Sequence, residues 1–437
     1  MTRIAHISDT HLGSKPKAGV RHNVWGEEMR SQLLENDFYE RFQELFDIIA
    51  KLDPPVDLVL HSGDLYNSPW EGNPSQPPVV AQETAIRVLQ DFIKRTGIPV
   101  LVLEGNHGLY RLLEVSLLDS LKLAVPGLNI ATQQDLKKAI SEDKPLMRSF
   151  DKLDVFCFPF IDHAVLEKTG DMLTRFDDWI TTNQVRDNDK PTIALAHGMD
   201  LDQTLHKSIF TMGYDYLALG HDHHLHKHSS GAWYAGSPER WRFDEIKHEK
   251  GFIVVDIDKA GEKPVITPHY LKFERKVISE KLNIAQDDTV ESITDKVFDI
   301  LDQQGLKEAW KPKTSARIRL VFEGKSSRMT SFELGLALES LRMKVLAKDT
   351  KYNVSQFVWF VRQFGDDEFT SAAYPEIESE YLIQDPEEDF KAYLETLDVD
   401  KSFDPSLLTK IAVRSLEYSV GKREGKMNSE SVTEDEQ

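Results

Sequence analysis

Five short polar stretches collect the side chains that bind metals and move protons. They are Asp9-Thr10-His11, Gly63-Asp64, Gly105-Asn106-His107, His197-Gly198 and Gly220-His221-Asp222-His223. Together they offer carboxylate, carboxamide and imidazole donors. Such a set suits Mn²⁺ or Fe²⁺ and takes Zn²⁺ or Mg²⁺ less specifically. One carboxylate from a central strand can bridge two divalent cations, and cations roughly 3.5–4 Å apart clamp the oxygens of a phosphoryl group. The chemistry permitted is in-line attack of water on phosphorus, with charge on the equatorial oxygens offset electrostatically. It needs no Ser or Cys nucleophile, and no glycine-rich Walker loop is present.

Each stretch ends a short apolar run: Arg3 to Ile7, Val56 to Leu60, Pro99 to Leu103, Thr192 to Leu195 and Tyr216 to Leu219. Runs of this kind, separated by helical patterns, predict buried parallel strands of an α/β protein. In an open α/β sheet a site forms outside the carboxyl ends of the strands. Each piece alone is weak, because Asp-x-His arises by chance and Gly-Asp is a common turn. Five in order, each after a strand, point to a di-metal site. The other histidines, His6, His22, His61, His163, His206, His224, His226, His228, His248 and His269, are read as core or surface residues.

At 437 residues the chain is long enough for two or three domains. Its single cysteine, Cys157, lies in an apolar run and is read as a core residue. No stretch has the length of a membrane span and no signal-peptide pattern is seen, so no membrane association and a cytoplasmic location are expected. The net charge of −20 argues against binding nucleic acid through bulk charge. The charge is uneven, however. Gln304 to Lys351 holds eleven Lys or Arg against five acids, and Gly365 to Asp400 holds thirteen acids against one Lys. That asymmetry suggests different partners for the two stretches.

Helical spacing predicts helices over Arg30 to Leu52, Val79 to Arg95 (closed by Gly97) and Glu114 to Leu123. Residues 1–260 form the expected catalytic domain. A composition shift at Asp258 to Pro264 opens a β-α-β-α-β pattern over 265–365, which suits a small α+β cap. An acidic linker over 366–386 precedes two short amphipathic helices in 387–420. The remainder, 421–437, has the composition of a disordered tail.

With these motifs in hand, the chain resembles the calcineurin-like metallophosphoesterases, whose ordered pattern D-x-H, G-D, G-N-H, H and G-H-x-H it carries. The stretches His6-Ile-Ser-Asp-Thr-His-Leu-Gly13, Ser62-Gly-Asp-Leu-Tyr66, Ala235-Gly-Ser-Pro-Glu-Arg240 and Lys250-Gly-Phe-Ile-Val-Val255 narrow the likeness to the DNA double-strand-break repair nucleases of the SbcD, or Mre-eleven, type. The resemblance implies a β-sandwich flanked by helices, with the α+β cap and a C-terminal helical pair. It implies two Mn²⁺ per chain, with Mg²⁺, Fe²⁺ or Zn²⁺ as alternatives. One metal would be held by Asp9, His11, Asp64 and His223, the other by Asp64, Asn106, His197 and His221. His107 would contact the scissile phosphate and assist the leaving group. The implied activity is Mn²⁺-dependent 3′–5′ exonuclease on double-stranded ends and endonuclease on single strands. The implied partners are DNA, a coiled-coil ABC-type ATPase of the SbcC kind docked on the C-terminal helices, and a second copy of the chain contacting through Val79 to Arg95 and Leu112 to Leu123. The assembly would be a nucleoid-associated heterotetramer.

Two positions depart from the family pattern. Gly108 stands where an acid follows G-N-H, so His107 lacks the carboxylate expected to orient it. Asn67 stands where many members have a histidine. The basic stretch of the cap would contact the phosphate backbone without reading sequence. Two other functions share these features: a phosphatase or phosphodiesterase for small substrates, and a weakly catalytic scaffold that binds DNA ends.

Overall fold

Runs with apolar residues on both faces can be buried only between layers, and here they build two six-stranded sheets. The computed structural model describes residues 1–16, 25–67, 76–108, 116–161, 172–185, 189–200 and 204–362. All of these lie within one compact unit, Met1–Ala372. Strands β1 (Thr2–Ile7), β2 (Leu58–His61), β3 (Val100–Leu103) and β4 (Leu128–Ala131) are mutually parallel. Strands β5 (Met147–Ser149), β6 (Asp154–Phe158), β7 (Thr192–His197), β8 (Tyr216–Gly220), β9 (His226–Lys227) and β10 (Trp233–Tyr234) form the second sheet, in the order β5-β6-β7-β8-β10-β9. Strands β11 (Gly251–Ile257) and β12 (Val265–Tyr270) return antiparallel to the first, giving β12-β11-β1-β2-β3-β4.

The five motif-bearing strands therefore divide between two sheets, with β1 to β3 in one and β7 and β8 in the other. The two facing sheets, with helices outside, are the helix-flanked β-sandwich that the family resemblance implies. The reason is visible in the alternation. Leu58 and Leu60 share a core with Ile193 and Leu195 of the second sheet. Val59 points the other way, into a core with Phe42, Phe46, Val88 and Phe92. Those residues belong to helices α1 (Glu27–Ile49) and α2 (Val79–Thr96), which cover the outer face. Cys157 is buried between the sheets. Helix α3 (Leu117–Ala124) starts at a capping box in which Ser116 accepts from the Leu118 N–H and Asp119 accepts from the Ser116 N–H.

Residues 277–362 form a third layer. Strands β13 (Val277–Ile284), β14 (Ala316–Gly324) and β15 (Val354–Arg362) are all parallel. Their crossovers are the helices Val290–Gln303 and Ser331–Val345, N-capped by Thr289 and Thr330. Three arginines tie this layer to the rest. Arg30 of α1 is fully buried, lies 4.6 Å from the Trp310 ring centroid, and donates to the carbonyls of Val354 and Leu346. Arg275 donates to Asp37 at 3.0 Å. Arg317 donates to the carbonyls of Arg240 at 2.7 Å and Trp241 at 3.0 Å.

The acidic linker 366–386, the helical pair 387–420 and the tail 421–437 lie outside the described residues, as do His22, His163 and residues 112–115. Among the described residues no helix is long and apolar enough to cross a membrane.

Candidate metal centre

The site is assembled where five strands end. Beyond β1 and β2 the two chain segments continue side by side: Asp9 N–H donates to Gly63 O at 3.0 Å, His11 N–H to Asp64 O at 3.0 Å, and Leu12 N–H to Leu65 O at 2.9 Å. This ladder holds three site residues in the left-handed backbone region, Asp9 at φ 49°, His11 at φ 44° and Asp64 at φ 54°. His221, after β8, stands at φ 95°. Side-chain-bearing residues adopt this region at a cost of about 1–3 kcal/mol each, and such strain gathers where function over-determines the backbone. Among the described residues the one other non-glycine residue there is Asp143, which closes a helix. Gly63 is required as glycine: φ is +115°, and a Cβ would lie 2.1 Å from Nδ1 of His197.

The side chains converge into overlapping donor groups. Asp9, His11 and His223 place one ligand atom each within 4.8 Å of one another, as do Asp64, His197 and His221. Asp64 lies between them, with Oδ2 4.0 Å from His11 Nε2 and 3.4 Å from His197 Nε2. Asn106 completes the second group, its Oδ1 lying 3.0 Å from His197 Nε2 and 3.1 Å from His221 Nδ1. His11 Nε2 and His223 Nε2 face each other at 2.9 Å. Carboxylate, carboxamide and imidazole lone pairs aimed at common points repel unless positive charge lies among them. This donor set therefore fits divalent cations.

Burial sets the electrostatics. It opposes a charge on Asp64, yet His197 and His107 outweigh it and hold the carboxyl well below its usual range. Burial likewise opposes a proton on His197, but the charge and hydrogen bond of Asp64 prevail and push it up to about 9. Burial raises Asp9 and lowers His11.

His107 lies with His11 and Asp64 in a third group of close donors. Its backbone N–H donates to Asp64 Oδ1 at 2.8 Å, and its Nδ1 lies 3.1 Å from the Asn67 carbonyl oxygen. A carbonyl only accepts, so Nδ1 carries the proton. The orienting role assigned from sequence to an acid at position 108 is filled here by a backbone carbonyl. A Cβ at Gly108 would meet the Glu104 side chain at 3.3 Å. Glu104 is itself buried, and its carboxyl is pushed up by that burial to about 7. An acid at position 108 would crowd a second carboxyl against it.

All eight residues singled out from sequence, Asp9, His11, Asp64, Asn106, His107, His197, His221 and His223, stand in this one cluster. The neighbouring histidines do not join its donor groups. His224 stacks on His248 at 4.4 Å and His226 on Tyr234 at 5.1 Å. His6 is buried between Tyr216 Oη and Ser62 Oγ, both at 2.9 Å.

Five residues that the sequence reading gave no role in the site surround the cluster. Glu245 Oε1 accepts from His223 Nδ1 at 2.9 Å, which turns Nε2 toward the cluster. Lys250 Nζ bonds the other oxygen of Glu245 at 2.6 Å, Ser237 Oγ at 2.7 Å and the His223 carbonyl at 2.9 Å. Ser237 and Lys250 thus explain why Ala235-Gly-Ser and Lys250-Gly-Phe mattered. Nothing marks Glu245 among the other acids of its segment. Trp241 stacks on His11 with ring centroids 4.8 Å apart, and Phe160 lies 6.0 Å from His221.

Residues 2–225 match the family model of the calcineurin-like phosphoesterases, and the chain belongs to that family. Members hold divalent metals, and this chain carries a fitting ligand cluster. Its relatives carry a more particular description. The DNA double-strand break repair protein Mre11 of Sulfurisphaera tokodaii is 28% identical over 283 residues, covering 61% of this chain and 62% of the relative. Its counterpart in Saccharolobus solfataricus is 27% identical over 278 residues, 59% and 61% of the two chains. That of Methanococcus maripaludis is 26% identical over 269 residues, 58% and 63%. The matches thus span just over three fifths of these relatives' own length.

Proposed function

We propose that the chain is a DNA repair nuclease that hydrolyses phosphodiesters at two Mn²⁺ ions, acting 3′–5′ on double-stranded ends and internally on single strands. The observation that carries this is the pair of donor groups sharing Asp64, with His107 beside them, in a phosphoesterase whose relatives are named for double-strand break repair. Asp9, His11, Asp64 and His223 would hold one cation, and Asp64, Asn106, His197 and His221 the other. When bound, the cations supply Lewis acidity, lowering the pKa of water and offsetting phosphoryl charge. Asp64 keeps its carboxylate ionised between the two groups. Glu245 fixes His223 by its Nδ1–H, and the Asn67 carbonyl holds His107 by its Nδ1, orienting the imidazole that would contact the phosphate and assist the departing oxygen.

The same reading includes a second copy of the chain and a coiled-coil ATPase. Val79, Val80 and Leu123 are 80%, 54% and 88% exposed on α2 and α3, an apolar surface that favours pairing through these helices. The ATPase would dock on 387–420. Of the basic stretch in the cap, Arg317 and Arg342 are buried and committed to internal bonds, which leaves Arg328 and the exposed lysines for backbone phosphates.

The test is cleavage of a labelled blunt duplex and a single-stranded circle in Mn²⁺, against Mg²⁺ and chelator. Asp64→Ala should abolish cleavage and metal binding, whereas His107→Ala should abolish cleavage and keep the metals. Hydrolysis of a small phosphodiester alone, with DNA left intact, would refute the nuclease reading.

A further inference from the structure

Trp241 occupies an unusual place for the largest apolar side chain. Its ring lies 22° from the plane of His11 and its centroid is 5.6 Å from His107 and 5.2 Å from His223. It therefore touches the imidazoles on one side of the cluster while remaining partly exposed. Its backbone is fixed at both ends. The N–H donates to Glu245 Oε2 at 3.0 Å, and the carbonyl accepts from Arg317 at 3.0 Å. The exposed Arg242 lays its guanidinium 4.8 Å from the indole centroid. The same strip continues with Phe243, whose centroid is 5.2 Å from the Arg317 guanidinium and 5.4 Å from that of Arg319. Arg317 is buried and bonded to backbone carbonyls, so it supports Phe243 from within, and Arg242 is the exposed cation of the strip. A partly exposed ring with an exposed arginine against it, beside a phosphate-handling site, is what a single nucleic-acid strand needs, since a base stacks on the ring while the cation meets the backbone.

We propose that Trp241 is a nucleobase platform, on which the base next to the scissile phosphate of a single strand stacks while Arg242 swings to a flanking phosphate. This rests on the nuclease reading above and adds a specificity element to it. A base inside a duplex already has both faces stacked and cannot offer one to the indole without leaving the helix. The platform therefore favours single strands and frayed ends over intact duplex.

The experiment scans a labelled single strand with one abasic site at a time across the cleavage position, in Mn²⁺, using the full chain. In the wild-type protein one abasic position beside the cut should lower kcat/KM on the order of tenfold. In Trp241→Leu that penalty should shrink to below about twofold, and in Trp241→Phe most of it should remain. The penalty is a ratio within each variant, so general damage to the metal site cancels. If the leucine variant does not fold, quenching of 2-aminopurine at the same position on binding to the wild-type protein decides: quenching is expected, and none overturns the proposal. An equal penalty in wild type and Trp241→Leu, or no penalty at any position in the wild type, also overturns it. Failure to cleave any single strand while duplex ends are still cleaved overturns the platform alone, whereas failure on both sinks the nuclease reading as well; the two are distinguishable because neither depends on the base.

Discussion

Replacing Glu245 by glutamine separates the two duties of that carboxylate. Glu245 and Lys250 have side chains only 4% and 0% exposed and lie 2.6 Å apart, so the pair is fully desolvated. Burial opposes the charge on Glu245, but His223 and Lys250 hold its carboxyl well below the usual range. Removing one member of a buried pair strands the other and costs about 3–5 kcal/mol. Glu245→Gln should therefore lower the free energy of unfolding by that amount in chelator. It should also weaken metal binding, because partners that orient a ligand imidazole contribute roughly 10- to 100-fold in affinity. Lys250→Met in the same background relieves the stranded charge. The double variant should recover most of the stability, while metal affinity stays reduced, since His223 still lacks its anionic acceptor. Urea denaturation in chelator and calorimetric Mn²⁺ titration measure the two terms. Metal affinity that recovers together with stability in the double variant would refute the orienting role and leave Glu245 a purely structural residue.

Two further outcomes follow from the geometry. Gly63→Ala forces both a positive φ and a contact of 2.1 Å with His197, and should cost about 2–5 kcal/mol and abolish metal binding. Gly97→Ala, at φ 70° with open space around it, should cost only about 1–2 kcal/mol and leave metal binding intact, as thermal melts and titrations would show. The third concerns His6, which burial holds neutral down to about 3. The unfolded chain takes up that proton from about 6.5, so the folded state has full stability above pH 6.5 and loses about 1.4 kcal/mol per pH unit below it. His6→Gln should therefore lose about 2 kcal/mol less than wild type between pH 7 and pH 5 in chelator, and equal losses would show that His6 does not titrate this way.

The site was legible because its residues are locally marked, each ending an apolar run with a turn residue beside it. The helices were legible for the same kind of reason. Gly97 closes α2 at φ 70°, and Thr289 and Thr330 cap the two crossovers of the third sheet. What the chain order hides is which strands share a sheet. A run such as Leu58–His61 is apolar on both faces, and periodicity cannot say whether helices or another sheet cover each face. Strand β12 was invisible because it is largely exposed and joins the sheet only by pairing with β11. Glu245 and Trp241 were missed, and Lys250 was marked without a role, because their importance lies in contacts formed across the fold, such as Trp241 on His11, and no spacing rule encodes those.

The split of the ligands between two sheets bears on how the molecule holds together. His11 and His223 meet at 2.9 Å across a separation of 212 residues. Cations gripped there would act as clasps across the seam, closing chain loops far longer than any hairpin. Loop-closure entropy grows with the logarithm of length, and a ligand bound only by the folded state deepens stability with its concentration. Catalytic readiness and the cohesion of the two sheets would then rise and fall together with the supply of metal.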